Sequence, residues 1–295
     1  MEQIPTKTIL TAIKYDNSGW FGLDYNMNLY KGCDHNCIYC DSRSRKYHIK
    51  NFSEVKIKEN CLPLLEEELK KRKNKGVVGI GAMSDCYNSF EEDLNVTRQS
   101  LFLLHKYNFG IALATKSDLV CRDIDILRKI SERSSCIVKI TITAHDDELS
   151  KIIEPNAPVS SRRFSALKKL TDNSIFAGIL LMPVLPFITD SEENIKNIVR
   201  SAHENGAKFI IAMFGLTLRD VQREHYLKEL SNDFPELVRS YVELYGDRYN
   251  CPARNHQRLE RIFAEECDRY GILHDMDDVI RAYKKPDQLV QSSLF

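Results

Sequence analysis

The sequence predicts an α/β fold: a partial barrel of about six strand–helix units, followed by a helical C-terminal extension. From about residue 75, short runs of β-forming residues alternate with segments of helical periodicity, and a first strand, YNMNLY, is predicted before them. Beyond Gly215 the strand signals fade. Alternation at this spacing is typical of βαβ units and a parallel sheet. About six units are too few to close an eightfold barrel, so we expect a partial one.

Five strands are predicted after the first, each a short run of mainly apolar residues. They are GVVGIGAMS (76–84), FGIALATKS (109–117), SCIVKITITA (135–144), SIFAGILLMPV (174–184) and AKFIIAMFG (207–215). Among the helical segments between them, SEENIKNIVRSAHENG begins at Ser191, has two glutamates in its first turn and ends at Gly206. These are good start and stop signals for a helix.

Three segments are expected along the chain. The barrel is predicted over 1–215 with a cysteine loop at 31–44, the helical extension over 216–285, and a flexible tail over 286–295. The extension is predicted from three amphipathic patterns, TLRDVQREHYLKEL, FPELVRSYVELYG and NHQRLERIFAEECDRYG.

Composition places the chain among ordinary globular proteins. Of its 295 residues, 43% are hydrophobic and 28% are charged, and the formal net charge is zero. We see no signal peptide and no apolar run that would cross a bilayer, so we expect a cytoplasmic protein with no membrane partner. The nine cysteines are an odd number, and a disulfide framework is not expected in that compartment. A nucleic-acid contact would need a local basic patch.

The stretch KGCDHNCIYCDSRS holds three cysteines, Cys33, Cys37 and Cys40, in the loop after the first predicted strand. Thiolates select zinc, copper(I) or iron–sulfur centres. A structural zinc site needs four ligands, and the fourth would have to be His35 or Asp41. A four-iron cluster held by three cysteines instead leaves one iron open for a substrate or cofactor.

The spacing C-x3-C-x2-C, with an aromatic residue before the last cysteine, resembles the signature of the radical S-adenosylmethionine (SAM) enzymes. The resemblance implies a partial (β/α)6 radical SAM barrel and a [4Fe–4S] cluster whose open iron binds SAM. One electron, from a donor such as a flavodoxin or ferredoxin, would cleave SAM to a 5′-deoxyadenosyl radical that abstracts a substrate hydrogen. The cofactor carries that chemistry, and the protein positions it.

Over about residues 24–215 the chain also resembles one branch of that superfamily, the spore photoproduct lyases and their relatives. The matching stretches are MSDCY after the second strand, TKS after the third and EPNAPVSSRRFSALKKL after the fourth. The resemblance implies that Tyr39 lies beside the SAM adenine and that Ser84 and Lys116 contact SAM. Lys116 also fits a solvated loop lysine.

Two further residues are candidates for the SAM site. Thr141 would reach the SAM ribose or carboxylate, or else be an ordinary strand residue with a satisfied hydroxyl. Arg163 would pair with the SAM carboxylate through its planar guanidinium. Asp85 and Glu154 are expected to hold loops through helix caps and backbone amides.

Two departures from the branch bear on the substrate. Ala82 aligns with the cysteine that donates hydrogen in spore photoproduct lyases, and Asp41 replaces the tyrosine that follows the third cluster cysteine there. Cys86 lies nearby and is the candidate catalytic hydrogen donor, with a small buried apolar residue as the alternative. The sequence therefore predicts a relative with a different substrate.

Two segments suggest a nucleic-acid partner. SRSRKYHIK, beside the cysteines, combines basic residues with Tyr47 and is typical either of a phosphate- and base-binding segment or of a solvated loop. The C-terminal Q-x-x-L-F, formed by Gln291, Leu294 and Phe295, resembles the peptide by which bacterial DNA polymerases and repair proteins dock on the sliding clamp. The alternative is a tail whose last apolar residues pack back on the domain.

The leading hypothesis is a cytoplasmic radical SAM enzyme, lyase-like, that abstracts hydrogen from DNA or another nucleic-acid component, in DNA repair. One alternative is a radical SAM enzyme that acts on a peptide or small metabolite. Another is a non-catalytic metal-cluster adaptor that its tail recruits to the sliding clamp. A basic, open face at the cluster would favour nucleic acid, and a small, enclosed cavity would favour a metabolite.

Overall fold

A seven-stranded sheet forms the centre of the protein in the computed structural model, which describes residues 1–13 and 19–285. The strands are β1 (Gln3–Ile4), β2 (Leu10–Ala12), β3 (Tyr25–Met27), β4 (Tyr30–Lys31), β5 (Lys56–Lys58), β6 (Val77–Ile80), β7 (Gly110–Thr115), β8 (Cys136–Thr141), β9 (Ala177–Leu181), β10 (Ile210–Ala212), β11 (Gly215–Thr217) and β12 (Asn250–Pro252). The central sheet has the order β10-β9-β8-β7-β6-β3-β2. Its first six strands are parallel, and β2 is antiparallel at the edge.

Eleven α-helices are present in the described residues. They are α1 (Cys61–Lys71), α2 (Glu91–Leu94), α3 (Val96–Lys106), α4 (Ile124–Arg133), α5 (Asp147–Ile153), α6 (Ser160–Asp172), α7 (Glu192–Glu204), α8 (Asp220–Asp233), α9 (Pro235–Tyr245), α10 (His256–Tyr270) and α11 (Met276–Tyr283). Helices connect each pair of successive parallel strands, which is the βαβ arrangement of an α/β barrel. The six parallel strands confirm the predicted partial barrel.

Alternate residues of the strands face two separate cores, because side chains along a strand alternate between its faces. Val78, Leu113 and Ile140 belong to the outer core, which the strands share with the surrounding helices. Val77 and Ile137 belong to an inner core on the concave side of the sheet. We call the space enclosed on that concave side the lumen.

The C-terminal extension is helical, as predicted, and it closes the base of the lumen. Val279 and Tyr283 of α11 belong to the inner core, and the Tyr283 hydroxyl donates a hydrogen bond to the Phe21 carbonyl. On the outside, Tyr270 of α10 stacks on His203 of α7, with ring centroids 4.6 Å apart. The extension therefore shares the barrel's core, while the division at residue 215 stays a prediction and the tail 286–295 lies outside the described residues.

Several strand predictions were wrong in detail. YNMNLY is not one strand: Tyr25–Met27 joins the central sheet, and Tyr30–Lys31 turns away to pair with β5. The other predicted strands are shorter than expected; for example, AMS after β6 and KS after β7 lie in loops. The pairing of β11 with β12 was not predicted, because it joins segments more than 30 residues apart whose local patterns are weak.

Gly81 ends β6 and opens the loop that carries Ala82 and Ser84. Its φ is +86°, and a Cβ at this position would lie 2.0 Å from the Ala114 carbonyl oxygen. A side chain would require both a left-handed backbone and displacement of β7. The close approach of these two strand ends therefore depends on glycine.

We expect Gly81→Ala to lower the free energy of unfolding by about 3 kcal/mol or more, because strain and a backbone clash add. Gly271→Ala is the matched control, since Gly271 also has a positive φ (+65°) but no atom lies within 4 Å of the Cβ that alanine would add there. Its cost is expected to be about 1 kcal/mol. Urea unfolding of both variants measures the difference, and equal losses would contradict the role given to Gly81.

Candidate functional site

The cysteine loop is fixed to the barrel by backbone contacts at both ends. Gly32 turns the chain out of β4 with a φ of +86°, and a Cβ there would lie 2.4 Å from the Glu54 carbonyl oxygen. The next amide, that of Cys33, donates to the Phe52 carbonyl at 2.8 Å. Farther along, the Ile38 amide donates to the Ile153 carbonyl at 3.0 Å. The loop is thus held close to the C-terminal end of α5.

All three cysteines of the loop are free thiols. Cys37 is buried, and Cys33 and Cys40 are half-buried. Burial raises the pKa of the Cys37 thiol to about 12, and it raises the pKa values of Cys33 and Cys40 as well. Buried, protonated thiols without a disulfide suit a group that brings positive charge, since metal coordination deprotonates a thiol.

A zinc site at the three cysteines would need a fourth ligand, for which the sequence offers His35 and Asp41. Within residues 1–13 and 19–285, no three His, Cys, Asp or Glu side chains converge as a single-ion site. The two alternative zinc ligands have other partners: His35 Nδ1 lies 3.4 Å from Asp85 Oδ2, and Asp41 accepts from Arg219 Nη2 at 2.7 Å.

A buried carboxylate, Glu154, lies behind the cysteines and joins the other predicted site residues. The Tyr39 hydroxyl donates to Glu154 Oε1, and Lys116 Nζ lies 3.9 Å from the same oxygen. Arg163 Nη2 lies 2.5 Å from Oε2. Although burial opposes ionisation, Arg163 and Lys116 hold the pKa of Glu154 below its usual value. Glu154 therefore does more than the loop-holding role predicted for it.

Arg163 has partners different from the SAM carboxylate that was predicted. Its side chain is completely buried, and besides Glu154 it donates to the carbonyls of Pro158 (2.5 Å) and Thr141 (3.0 Å). Because these protein groups occupy the guanidinium, Arg163 orients Glu154 and the end of β8. A direct contact between Arg163 and SAM stays a prediction, and the observed contacts favour a positioning role.

Ser84, Lys116 and Thr141 lie at the C-terminal edge of neighbouring strands, where the fold places functional groups. The buried Ser84 Oγ has no hydrogen-bond partner among the described residues, so it is free for a ligand. Asp85 next to it accepts from the Lys116 amide at 2.8 Å and from Thr115 Oγ1 at 2.7 Å. Asp85 thereby holds two strand ends together, as predicted.

The lumen contains a cavity of about 410 Å³ below this edge. Lys116 and Thr141 line its upper part, and Ala82, the residue aligned with the donor cysteine, lines it too. The other walls are mostly small or apolar side chains. A volume of this size falls within the range of small-molecule sites, about 300–1,000 Å³.

Lys139 was missed by the sequence reasoning, although a lysine inside the apolar run CIVKIT was a visible signal. It lines the lumen, and its side chain is 3% exposed. Burial lowers its pKa to about 7. Its Nζ lies 4.3 Å from the centroid of the Phe21 ring, and no carboxylate pairs with it among the described residues.

Cys86, the candidate hydrogen donor, is not among the described residues that line the lumen cavity, and its role stays a prediction. Its side chain is 4% exposed and belongs to the outer core, together with Tyr30 and Val96. Ala82, by contrast, lines the lumen cavity. The alternative, a small buried apolar residue, describes Cys86 better.

The C-terminal extension forms hydrogen bonds with the cysteine loop, and the sequence did not predict this contact. Arg219 Nη2 donates to both oxygens of Asp41 at 2.7 Å. Gln222 of α8 donates to the Tyr39 carbonyl at 3.2 Å, and the Tyr47 hydroxyl donates to Asp41 Oδ2 at 2.7 Å. Arg219 and Gln222 lie about 180 positions from the loop residues they bind, so no local pattern reveals the contact.

The same contacts change the interpretation of SRSRKYHIK. Tyr47 is bound through its hydroxyl, and the Arg219 guanidinium lies 5.5 Å from its ring centroid, so this ring is not a free platform for a base. The basic residues around it remain at the surface. The exposed ones are Arg45, Lys46, His48 and Lys50.

A second cavity, of about 730 Å³, borders the cysteine loop at Asp34 and His35. Its walls carry both charges, and its two arginines are paired: Arg162 with Asp118 at 2.6 Å, and Arg122 with Glu91 at 2.9 Å. This cleft is therefore not a basic surface.

Comparison with known sequences identifies the family. The radical SAM superfamily model matches residues 27–199, more than half of the chain. An uncharacterized protein of Mycobacterium tuberculosis is 25% identical over 269 residues, which are 89% of this chain and 79% of that protein. An uncharacterized protein of Methanocaldococcus jannaschii is 35% identical over 174 residues, 58% of this chain and 64% of that protein.

Comparison with solved structures supports the fold. Spore photoproduct lyase complexed with dinucleoside spore photoproduct superposes with a TM-score of 0.65 at 12% identity, over 91% of this chain and 79% of that one. A mutant of that lyase with bound AdoMet gives a TM-score of 0.59 at 13% identity, over 84% and 74%. At these identities the likeness concerns the fold. No helix in the described parts of the chain is long and apolar enough to cross a membrane.

Replacing Glu154 by glutamine should lower the free energy of unfolding by about 3–5 kcal/mol, because Arg163 would keep a buried charge without its partner. Glu192→Gln is the matched control: Glu192 pairs with Arg258 at the surface, where a salt bridge contributes about 0–1 kcal/mol. Urea unfolding at pH 7 measures both. Similar small losses would contradict the central position of Glu154.

Lys139 should make stability depend on pH. Because its pKa is about 7 in the folded chain and 10.5 ordinarily, the unfolded state binds more protons between these values. The free energy of unfolding of the wild type should therefore rise, relative to Lys139→Met, by about 3 kcal/mol from pH 6 to pH 9.

Lys71→Met, on the exposed face of α1, controls for the loss of one positive charge. Urea unfolding at several pH values measures the differences. A difference between wild type and Lys139→Met that does not change with pH would contradict the burial of an unpaired amine.

Proposed function

The chain belongs to the radical SAM superfamily, whose cofactors are a [4Fe–4S] cluster and SAM, and we propose that it is an enzyme that abstracts hydrogen from an organic substrate held in the lumen. The observation that carries the proposal is the position of the three free cysteines. Cys33, Cys37 and Cys40 lie in a loop at the C-terminal edge of the barrel, next to a cavity that Lys116 and Thr141 line.

Cys33, Cys37 and Cys40 would hold the cluster, and its fourth iron would be left for SAM. When bound, the reduced cluster would supply the one electron that cleaves SAM to methionine and a 5′-deoxyadenosyl radical, and that radical would take a hydrogen atom from the substrate. The electron would come from a protein such as a flavodoxin or ferredoxin. The apolar walls of the lumen would keep water away from the reacting atoms.

The residues at the strand ends would bind and orient SAM. Ser84 Oγ has no hydrogen-bond partner among the described residues and would donate to a polar group of the methionine moiety. Lys116 would supply positive charge for its carboxylate, and Thr141 a hydroxyl for the ribose or carboxylate. Tyr39 would lie beside the adenine. Arg163 would act through Glu154, which holds Lys116 and Tyr39 in position.

For the substrate we propose a nucleic-acid component. Support comes from the fold shared with spore photoproduct lyase and from the exposed basic residues beside the cysteine loop. Ala82 lines the lumen but has no thiol, and Cys86 has a thiol but lies in the outer core. Neither residue would therefore return a hydrogen atom to the substrate. The reaction would therefore differ from photoproduct repair that uses a cysteine donor.

A small acidic metabolite is the second candidate substrate, and one observation favours it. The lumen is small, mostly apolar and contains the unpaired Lys139, which are properties of a small-molecule site. If the substrate is instead DNA, the tail at 286–295 would bring the enzyme to the sliding clamp through Gln291, Leu294 and Phe295. An apolar pair in a pocket and a glutamine that sets the register would suffice for such docking.

Anaerobic assay of the reconstituted protein tests the proposal. After loading with iron and sulfide and reduction with dithionite, the wild type should convert SAM to 5′-deoxyadenosine. The rate for Cys37→Ala should be at least about 100-fold lower, because a cluster ligand is missing. Cys121→Ala is the matched control, since Cys121 is a half-buried thiol whose Sγ contacts the Ala166 carbonyl in the helical layer, away from the lumen. It should retain the wild-type rate.

The substrate is tested in the same assay by adding UV-irradiated DNA, untreated DNA or no DNA. More 5′-deoxyadenosine with irradiated DNA would support a repair substrate. An unchanged yield in all three samples would favour the metabolite. No 5′-deoxyadenosine from a protein that holds four irons per chain would overturn the enzyme and leave the non-catalytic adaptor.

A further inference from the structure

Lys139 projects into the lumen from the middle of β8, and the strands on either side leave space around it. Its neighbours in register are Ala114 on β7 and Gly178 on β9. Neither has a side chain that reaches past the Lys139 stem. The amine therefore borders the cavity of about 410 Å³ while its residue is almost entirely hidden from bulk solvent.

The charge of Lys139 has no counterpart in the described residues. The other ionisable residue among the described lumen walls is Lys116, whose Nζ faces Glu154 at 3.9 Å. Burial alone accounts for the lowered pKa of Lys139, with no neighbouring charge contributing. The face of Phe21 is its nearest favourable contact, and a ring attracts an ammonium less strongly than an anion does.

An apolar side chain of similar length would fill the same space without this penalty, so packing does not explain a lysine here. An anion entering the lumen would remove the penalty, because the pair would form in a region of low dielectric constant. The arrangement is thus incomplete without a ligand.

We propose that Lys139 anchors an oxyanion of the substrate, a phosphate or a carboxylate, at the floor of the lumen. The inference rests on the proposed function, since it takes the lumen as the place where the substrate is held. Along a strand each residue advances about 3.3 Å, so the backbone of Thr141 lies about 7 Å above that of Lys139. The substrate's acidic group would then lie below the strand ends, and its reacting carbon near them.

Calorimetric titration of the anaerobically reconstituted protein with SAM present tests the anchor. Two pairs of probes differ in one negatively charged group: thymidine 5′-monophosphate against thymidine, and butyrate against butyramide. The wild type should bind the anion of at least one pair about tenfold more tightly than its uncharged partner. Preference in the first pair identifies a nucleotide-like substrate, and preference in the second a small carboxylic acid.

Lys139→Met should abolish the preference. Lys58→Met is the matched control, because Lys58 is another half-buried lysine whose pKa burial lowers, but it lies on β5, outside the lumen. This control should keep the wild-type preference. Titration at pH 8 in buffers of different ionisation enthalpy should also show uptake of about one proton per bound anion in the wild type and none in Lys139→Met.

No preference for either anion in the wild type, or a preference that survives in Lys139→Met, would overturn the anchor. These outcomes are separate from a failure of the proposed function. A wild type that binds the anion through Lys139 but forms no 5′-deoxyadenosine would refute hydrogen abstraction and keep the anion site.

Discussion

The site depends first on one buried carboxylate. Glu154 follows the end of α5 and accepts a hydrogen bond from the Tyr39 hydroxyl of the cysteine loop. It also forms ion pairs with Lys116, at the end of β7, and with Arg163 of α6. Three separate elements therefore contact one buried carboxylate. If any of them moved, a buried polar or charged group would be left without its partner. Because the Ile38 amide also donates to the carbonyl just before Glu154, the same turn fixes both the backbone of the loop and the side chains facing it.

The C-terminal extension adds a second set of constraints at opposite ends of the lumen. Near the top, Arg219 and Gln222 hold the cysteine loop through Asp41 and the Tyr39 carbonyl. At the base, α11 fills the inner core with Val279 and Tyr283. The aspartate in place of the branch's tyrosine thus has a structural partner of its own, which accounts for it without reference to the substrate.

Sequence patterns anticipated features that local chemistry determines. Apolar runs between helical segments predicted the six parallel strands, and three cysteines without a fourth predicted an open cluster. Long-range pairings were not predictable in this way. The contact between Arg219 and Asp41 joins residues 178 positions apart, and the sequence around one carries no sign of the other. Proximity in sequence to Ala82 also does not tell whether a loop residue such as Cys86 lines the lumen or joins the outer core.

Cys33, Cys37 and Cys40 would hold a four-iron cluster with one iron open to SAM. Electron paramagnetic resonance of the reconstituted, dithionite-reduced protein, recorded before and after SAM is added, tests this arrangement. We expect the signal of a reduced [4Fe–4S] cluster and a clear change in that signal with SAM, because SAM would become a ligand of the open iron. A four-iron signal that SAM leaves unchanged would contradict it.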